Sequence, residues 1–471
     1  MNFKELSIRL AKDIRFWIVF FFLLRMYGIT NPPLEVGHNW RQTDGLMIIR
    51  NFYERDANIF YPRVDVAGDK TGIVGSEFPI LNYLTYLVCK VFGYEHWFGR
   101  LVVLIFSCIG VFYFYKLILK YYGEPSAFNS SIVLLVSFWF SYSRKILPDP
   151  FAVSLCIISL YYAFRYFEDG KCIHLLFFFL LGLIGCLSKI LAATILTVLL
   201  IPFLDRGTPA VRKFVFVIFA LVILGGVSWW YFYWVPFLND TYGLGDHFFM
   251  GYSFPEGARD LISKWPIVLK RFYDTPLKYT GFAAFLAGLY FIFRNKEWLK
   301  LCVFLLPFIS FLVLLTKTGS SISGDTYYVI TVIPCMAFVA GCGLAQVKNK
   351  KVVASILFVI AVEGLAAQIY DFRIRQPFRA LADLENIMDG LSERNDLIVV
   401  NSEVNNPTAM YFTHRRGWTA PNVYLTDSLY LNGMREKGCK YVLVVKQLYG
   451  DLKLELPTVH DSEYFRIYNL K

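Results

Sequence analysis

Six charged or ionisable residues stand where a strongly apolar chain has little reason to keep charge. Asp44 sits in His38-Asn39-Trp40-Arg41-Gln42-Thr43-Asp44, just past the first apolar run. Thr43 reads as a helix N-cap, which places Asp44 in the first turn, where the helix dipole favours a carboxylate. Arg41 stands three residues before it. The plain alternative is a capping acid. Asp149 lies in Arg144-Lys145-Ile146-Leu147-Pro148-Asp149-Pro150. Two prolines fix the backbone around one acid, and two cations precede it; helix entry is the alternative. Lys189 interrupts an apolar stretch at Leu187-Ser188-Lys189-Ile190. An ammonium there is costly unless it lines a wet cavity or meets an anion. A snorkelling loop lysine is the alternative. Glu77 precedes Phe78-Pro79, and His247 lies in Gly245-Asp246-His247-Phe248. A glutamate and a histidine are a possible ligand pair for a divalent metal, zinc or manganese. Asp325 precedes Thr326-Tyr327-Tyr328 before a late apolar run, and again a cap is the alternative.

The elements that must position these residues are membrane spans. Of 471 residues, 56% are hydrophobic and only 18% charged. A soluble domain is nearer 45–50% apolar and roughly 25% charged. The apolar residues come in blocks close to the roughly 20 residues that a span needs. Candidate spans are Ile14–Ile29, Trp97–Leu119, Ala127–Tyr142, Phe151–Phe167, Ile173–Leu187, Ile190–Leu204, Phe214–Phe237, Tyr279–Phe293, Leu299–Thr316, Tyr327–Leu344 and Val352–Tyr370. The expected fold class is thus an α-helical polytopic membrane protein with about eleven spans. No small-residue cleavage site follows the first run, so it reads as an anchor rather than a signal peptide.

Loop charge sets the orientation. With the first tail inside (Lys4, Arg9, Lys12, Arg15), every alternate loop is basic: Lys116 and Lys120; Arg165 and Lys171; Arg206, Arg212 and Lys213; Arg294, Lys296 and Lys300; Lys348, Lys350 and Lys351. The N-terminus is then cytoplasmic and the C-terminus extracytoplasmic. Asp44, Glu77, Asp149, Lys189, His247 and Asp325 all fall on the outer side. Residues 1–370 form the membrane part, with long external loops at 30–96 and 238–278. Within the first loop, Asp44–Arg55 carries Leu46, Ile49 and Tyr53 on one helical face, and Pro79–Phe92 is a second interfacial helix. Residues 371–471 change character. Helical spacing from Phe378 to Leu391, a strand at Asp396–Ser402, a helix at Asp427–Lys437 and a strand at Tyr441–Lys446 predict a small external α/β domain. Its plain role is stability or partner contact.

The net charge of +11 fits basic cytoplasmic loops. No basic run is interleaved with aromatics, which argues against nucleic acid as a partner. The nine cysteines show no CxxC spacing and indicate neither a zinc cluster nor a disulfide framework.

The arrangement resembles the GT-C glycosyltransferases that use polyprenyl-phosphate sugars. The protein O-mannosyltransferases and the lipid A aminoarabinose transferases are the near relatives. Residues 1–370 carry the resemblance. Trp40-Arg41-Gln42-Thr43-Asp44 matches the family's acid in the first external loop, and Leu147-Pro148-Asp149 its second acid at the outer end of a later span. Glu77-Phe78-Pro79 matches an acid before a partly embedded helix, and Ser188-Lys189 a lysine between two short spans. Gly324-Asp325-Thr326-Tyr327-Tyr328 matches a tyrosine-rich entry to a late span. His414-Arg415-Arg416-Gly417-Trp418 is similar to tails of bacterial members. There are departures: the first acid has no second acid after it, Phe78 replaces a basic residue, and Trp229-Trp230 is followed by Tyr231 rather than an acid.

The resemblance implies a multi-pass enzyme of the bacterial inner membrane. It moves a sugar from a polyprenyl-phosphate donor to an extracytoplasmic lipid, glycan or protein, with inversion. Asp44 and Asp149 are then catalytic. Lys189, Arg144 and Lys145 hold the donor phosphate; Arg41, Asp325 and Tyr328 bind substrate; Glu77 and His247 hold any metal. The alternatives are a lipid-linked polysaccharide polymerase or flippase, which predicts polar residues at mid-span, and a non-catalytic membrane scaffold. The spans are nearly free of acids, with Glu363 the main exception and Arg25 and Arg100 the visible cations.

Overall fold

A computed structural model describes residues 10–244, 251–403 and 406–470. The chain divides into two units. One comprises Met1–Ile29, Arg100–Tyr231 and Phe249–Ile369; the other comprises Thr30–Gly99, Phe232–Phe248 and Tyr370–Lys471. The loop 30–96 belongs with the tail and not with the spans.

All eleven expected spans coincide with helix. Among the described residues, 6 are long and apolar enough to cross a membrane: Phe98–Tyr122, Pro148–Asp169, Ala210–Tyr242, Trp298–Leu315, Thr326–Ala345 and Lys350–Phe372. A seventh is counted if Trp265–Asp274 and Lys278–Arg294, bent by 88°, form one span. The others are shorter or broken. Ala127–Tyr142 becomes Glu124–Leu135 followed by Phe138–Tyr142, and Ile190–Leu199 is a 3₁₀ run leading into Leu200–Leu204. Apolar length therefore marks these segments, but their backbone geometry is irregular.

The core of the first unit is the Thr326–Ala345 span, 94% of whose apolar window is buried, against 17% for Ala210–Tyr242. Small residues allow the close approach. At Gly288 a Cβ would stand 2.3 Å from the Val339 carbonyl oxygen, and at Gly343 2.4 Å from Gly288 Cα. Glu363, the acid within a span, has a structural use. Its carboxylate accepts from the Tyr279 and Thr280 amides at 3.1 and 2.8 Å and from the Thr280 hydroxyl. It caps the N-terminus of Lys278–Arg294, whose first N–H groups have no intrahelical partner.

The basic loops gather at one end of this unit. Glu168 binds Lys120 and the Tyr121 hydroxyl, and Arg212 donates to the carbonyls of Phe167 and Glu168 at 3.0 and 2.8 Å. Asp149 begins the helix that Glu168 nearly ends, about 28 Å away at about 1.5 Å rise per residue. The loop-charge reading makes this end cytoplasmic, an expectation that labelling can test. In a background lacking the exposed Cys172 and Cys302, cysteines at Gly207 and Asn349 are expected to label only after permeabilisation. A cysteine at Asn432 is expected to label in intact cells. The reverse pattern would invert the orientation. Lys471, a further external position, lies outside the described residues.

The second unit is built on a five-stranded sheet in the order β2-β1-β3-β5-β4. The strands are β1 (Leu397–Asn401), β2 (Arg416–Ala420), β3 (Cys439–Val445), β4 (Thr458–Asp461) and β5 (Phe465–Asn469). β1 runs parallel to β2 and β3; β5 runs antiparallel to β3 and β4. Val399, Val442, Val444 and Tyr468 pack with Leu425 and Met434 on one face. β1, β3 and the helix Ser428–Glu436 match the sequence reading; β2, β4 and β5 lack a clear apolar alternation and were not expected. The helix expected from Phe378 to Leu391 forms as Gln376–Arg379, a 3₁₀ turn at Ala380–Asp383, and Leu384–Asp389.

β2 is an edge strand, and an uncovered edge leaves amides and carbonyls without partners. The first loop covers it. Ala67 and Gly68 amides donate to the Gly417 carbonyl at 3.0 and 2.7 Å, and the Gly417 amide donates to Asp65 O at 3.0 Å. A side chain at 417 would collide with the neighbouring strand, since a Cβ there would lie 1.7 Å from Ile398 O. Loop and tail thus share one core.

Candidate functional site

The helix carrying Asp44 runs from Asn39 to Glu54. It starts earlier than the sequence suggests, so Thr43 is not its N-cap. His38 takes that position, with φ 53° and no side-chain cap bond. The Thr43 hydroxyl instead bonds back to the carbonyls of Asn39 and Trp40 at 3.2 and 3.0 Å. Asp44 therefore sits in the second turn, one position into a buried face. The expected apolar face also shifts. Leu46 and Ile49 are buried, Tyr53 is exposed, and Arg50, four residues after Leu46, is buried.

Arg41 joins two of the predicted acids. Its Nη1 donates to Asp44 Oδ2 at 3.0 Å and its Nη2 to Glu77 Oε1 at 2.6 Å. Arg41, Asp44 and Glu77 are 7, 8 and 9% exposed. The trio carries a net charge of −1 and is held within the second unit. Asn82 adds a tie by donating to Gly45 O at 2.7 Å, which fixes the helix Ile80–Phe92 against Asn39–Glu54. Glu35 and Gln42, both fully buried, lie beside the trio with Gln42 Nε2 at 3.5 Å from Glu35 Oε2. Sequence reasoning passed over Glu35; its only signal was an acid in a proline-rich turn.

The first unit holds a second buried charge cluster. Lys189 Nζ lies 3.6 Å from Asp149 Oδ1, with side chains 5 and 1% exposed. The ammonium also stands 5.4 Å from the Tyr327 ring centroid and 5.5 Å from that of Tyr328. Those rings stack on each other at 5.0 Å. Local structure explains each position. Lys189 is extended, φ −158°, at the break between the helix Cys172–Ser188 and the 3₁₀ run. Asp149 is in the first turn of Pro148–Asp169, between its two prolines. Tyr327 and Tyr328 open the 3₁₀ segment Thr326–Val332, with half-buried Asp325 at the cap position but making no cap bond. Three distant stretches of the chain are brought together, and cation–π attraction in a desolvated site adds to the ion pair.

The two cations before Asp149, Arg144 and Lys145, meet other groups. Arg144 donates to the carbonyls of Tyr27 and Gly28 at 2.8 and 3.0 Å, and Arg100 to Ile29 O at 2.8 Å. These guanidinium groups satisfy carbonyls at the C-terminal end of the helix Ile14–Met26, where positive charge is favoured. Lys145 is fully buried, 5.2 Å from the Tyr142 ring centroid.

Among the described residues no group of three or more His, Cys, Asp or Glu stands close enough to hold a metal. Glu77 is bound by Arg41, and His247 lies outside the described residues. A cavity of about 860 Å³ also opens in the first unit, lined by Tyr121, Ile157, Phe338 and Arg212 among others. It lies at the basic-loop end, away from Asp149 and Lys189.

With this geometry in view, comparison with known proteins is informative. The family described as dolichyl-phosphate-mannose-protein mannosyltransferase matches residues 76–232. That stretch includes Glu77, Asp149 and Lys189. No curated relative matches the chain in sequence. ArnT from Cupriavidus metallidurans, solved bound to undecaprenyl phosphate, superposes with a TM-score of 0.63 over 97% of this chain and 98% of that one, at 13% identity. The chain has the GT-C fold. The archaeal oligosaccharyltransferase AglB from Archaeoglobus fulgidus, in complex with an inhibitory peptide and a dolichol-phosphate, matches with a TM-score of 0.54. It covers 91% of this chain and 69% of its own at 12% identity. At these identities the likeness is one of fold. The GT-C fold is here an apolar helical unit and a small sheet unit, each with a buried charge cluster of its own.

Proposed function

We propose that the chain is a glycosyltransferase that takes a sugar from a polyprenyl-phosphate carrier. It passes the sugar, with inversion at the anomeric carbon, to a lipid, glycan or protein acceptor on the extracytoplasmic side. The observation that carries this reading is the pair of buried charge clusters on an ArnT-like fold. Burying Arg41, Asp44, Glu77, Asp149 and Lys189 costs more than a solvated surface would, and such groups collect at functional sites. The long-chain prenyl phosphates bound by ArnT and AglB support the choice of carrier.

The roles follow from the contacts. Lys189, held by Asp149 and two tyrosine faces, keeps an ammonium ready for the carrier phosphate. It stabilises the charge that grows on that phosphate as the sugar departs. Asp149 acts by positioning Lys189. Asp44, oriented by Arg41, takes the proton from an attacking hydroxyl. For a phosphate acceptor, already ionised, it balances the positive charge growing on the sugar ring. Arg41 sets Asp44 and contacts substrate, with Tyr328 and Asp325 lining the carrier side; Lys145 is a secondary cation.

Membranes containing the chain, given a labelled polyprenyl-phosphate sugar, are expected to move label into a lipid, glycan or protein fraction. The new bond is expected to have the anomeric configuration opposite to the donor's. No transfer from a panel of such donors by folded protein would overturn the reading. Retention of configuration would overturn the single-displacement step.

A further inference from the structure

The second unit contains a charge relay that the transfer chemistry above does not use. His414 ends the helix Thr408–Thr413 in a left-handed conformation, φ 50°. Its Nε2 is 2.9 Å from Glu54 Oε2 and its Nδ1 is 2.8 Å from Glu385 Oε1. A neutral imidazole has one N–H and can donate to one carboxylate; two such bonds require the imidazolium. Glu54 is the last residue of the helix Asn39–Glu54, whose C-terminal end favours a cation. Glu385 lies in the tail helix Leu384–Asp389.

The same helix end is gripped a second time. Arg50 donates to Tyr411 O at 2.9 Å and to Asp65 at 2.8 Å, and stands 4.6 Å over the Tyr411 ring. The hydroxyls of Tyr411 and Tyr94 share a hydrogen bond of 2.8 Å. Arg394 binds Glu385 at 2.8 Å, and Arg415 binds Asp389 at 2.8 Å. The charged groups around His414 are thus Glu54 and Arg50 on the first helix and Glu385, with Arg394 behind it, on the tail. Asp44 lies ten residues up the same helix from Glu54, about 15 Å along its axis.

We propose that His414, as an imidazolium held between Glu54 and Glu385, is a positioning residue that latches the helix carrying Arg41 and Asp44 to the tail. The proposal rests on the reading of Asp44 given above. Burial pulls the imidazole down, and the bonds to Glu385 and Glu54 outweigh it, so His414 titrates above its ordinary value of 6.5. Glu385 is held down to about 2, chiefly by its bond to His414 against the effect of burial, with Arg394 adding to it. The signs follow. On the acid side Glu385 stays charged until pH falls towards about 2. On the basic side the latch is whole below the ordinary imidazole value and is lost as pH rises through the raised one.

The test uses the full chain in lipid nanodiscs, with amide-exchange protection of residues 48–54 and transfer kinetics followed from pH about 6 to about 9. In wild type, protection is expected to fall about tenfold across this range, the scale of one charge-assisted hydrogen bond, and kcat to fall with the same midpoint while the donor KM holds. His414→Lys, which keeps a charge, flattens both profiles near the wild-type acid value. His414→Asn, which tolerates the left-handed backbone, flattens them near the basic value. Glu54→Gln leaves the backbone at 414 untouched and moves the midpoint to lower pH. Wild-type profiles in both His414→Asn and Glu54→Gln would overturn the latch. A pH-dependent protection that shifts as predicted, in protein with no transfer activity, would keep the latch and remove the sugar-transfer reading.

Discussion

Asp44→Asn will lower sugar transfer by about 10²–10⁴-fold, the range that a positioned acid–base group supplies. It will do so with most of the protein still folded. Asp44 is buried, so the fold does not ignore it. But Arg41 keeps Glu77 at 2.6 Å, and the asparagine oxygen can still accept the Arg41 bond seen at 3.0 Å to Asp44. The loss of stability is then about 1 kcal/mol, the scale of one weakened hydrogen bond, which thermal unfolding of the purified variant will measure. Glu77→Gln is the matching control. It removes the other carboxylate from Arg41 and should cost transfer less than Asp44→Asn. Near-normal turnover by folded Asp44→Asn would take Asp44 out of the chemistry and leave it as the partner that holds Arg41.

Lys189→Ala will cost about 10²–10³-fold in turnover, as removal of a single preorganised charge stabiliser does, and will weaken donor binding. It also withdraws the ammonium from Asp149. Breaking a buried pair by removing one partner costs about 3–5 kcal/mol, so a fall in activity alone proves nothing. The double variant Lys189→Ala with Asp149→Asn separates the two effects. It is expected to regain much of the stability lost in Lys189→Ala and none of the transfer. Lys189→Arg will rescue only in part, because a broad planar guanidinium must fit where an ammonium stands 5.4 and 5.5 Å from two tyrosine rings. Unchanged donor affinity in stable Lys189→Ala would end the phosphate role. Recovery of transfer in the double variant would show that Asp149, not Lys189, had caused the loss.

The buried face of the helix Asn39–Glu54 shows why part of the site was illegible in one dimension. A helical pattern of Leu46, Ile49 and Tyr53 is real in the sequence, yet Tyr53 faces out and Arg50 faces in. An arginine becomes a core residue only when its charge is met, here by Asp65 and a carbonyl of the tail. Those partners lie 15 and 361 positions away, and no local propensity announces them. The same holds for Arg144. Its guanidinium reaches back 117 and 116 positions to carbonyls near the end of the helix Ile14–Met26.

What the sequence by itself determined is what hydrophobic period and charge can determine. Long apolar blocks demand helices in lipid, since a spanning backbone must satisfy its own hydrogen bonds. Basic loops at alternate breaks gave the expected orientation. Runs at Asp396–Ser402 and Tyr441–Lys446 foretold β1 and β3, two of the three inner strands. A carboxylate or ammonium left inside apolar surroundings, as at Asp149 and Lys189, marked itself by its cost. Pairing was decided only by tertiary structure. Lys189 found Asp149 and Tyr327–Tyr328, Arg41 found Glu77, and loop 65–68 found the open edge of β2, because each group had a charge or a hydrogen bond to satisfy and the partner was distant in the chain. Desolvation creates the need locally; only the folded chain decides where it is met.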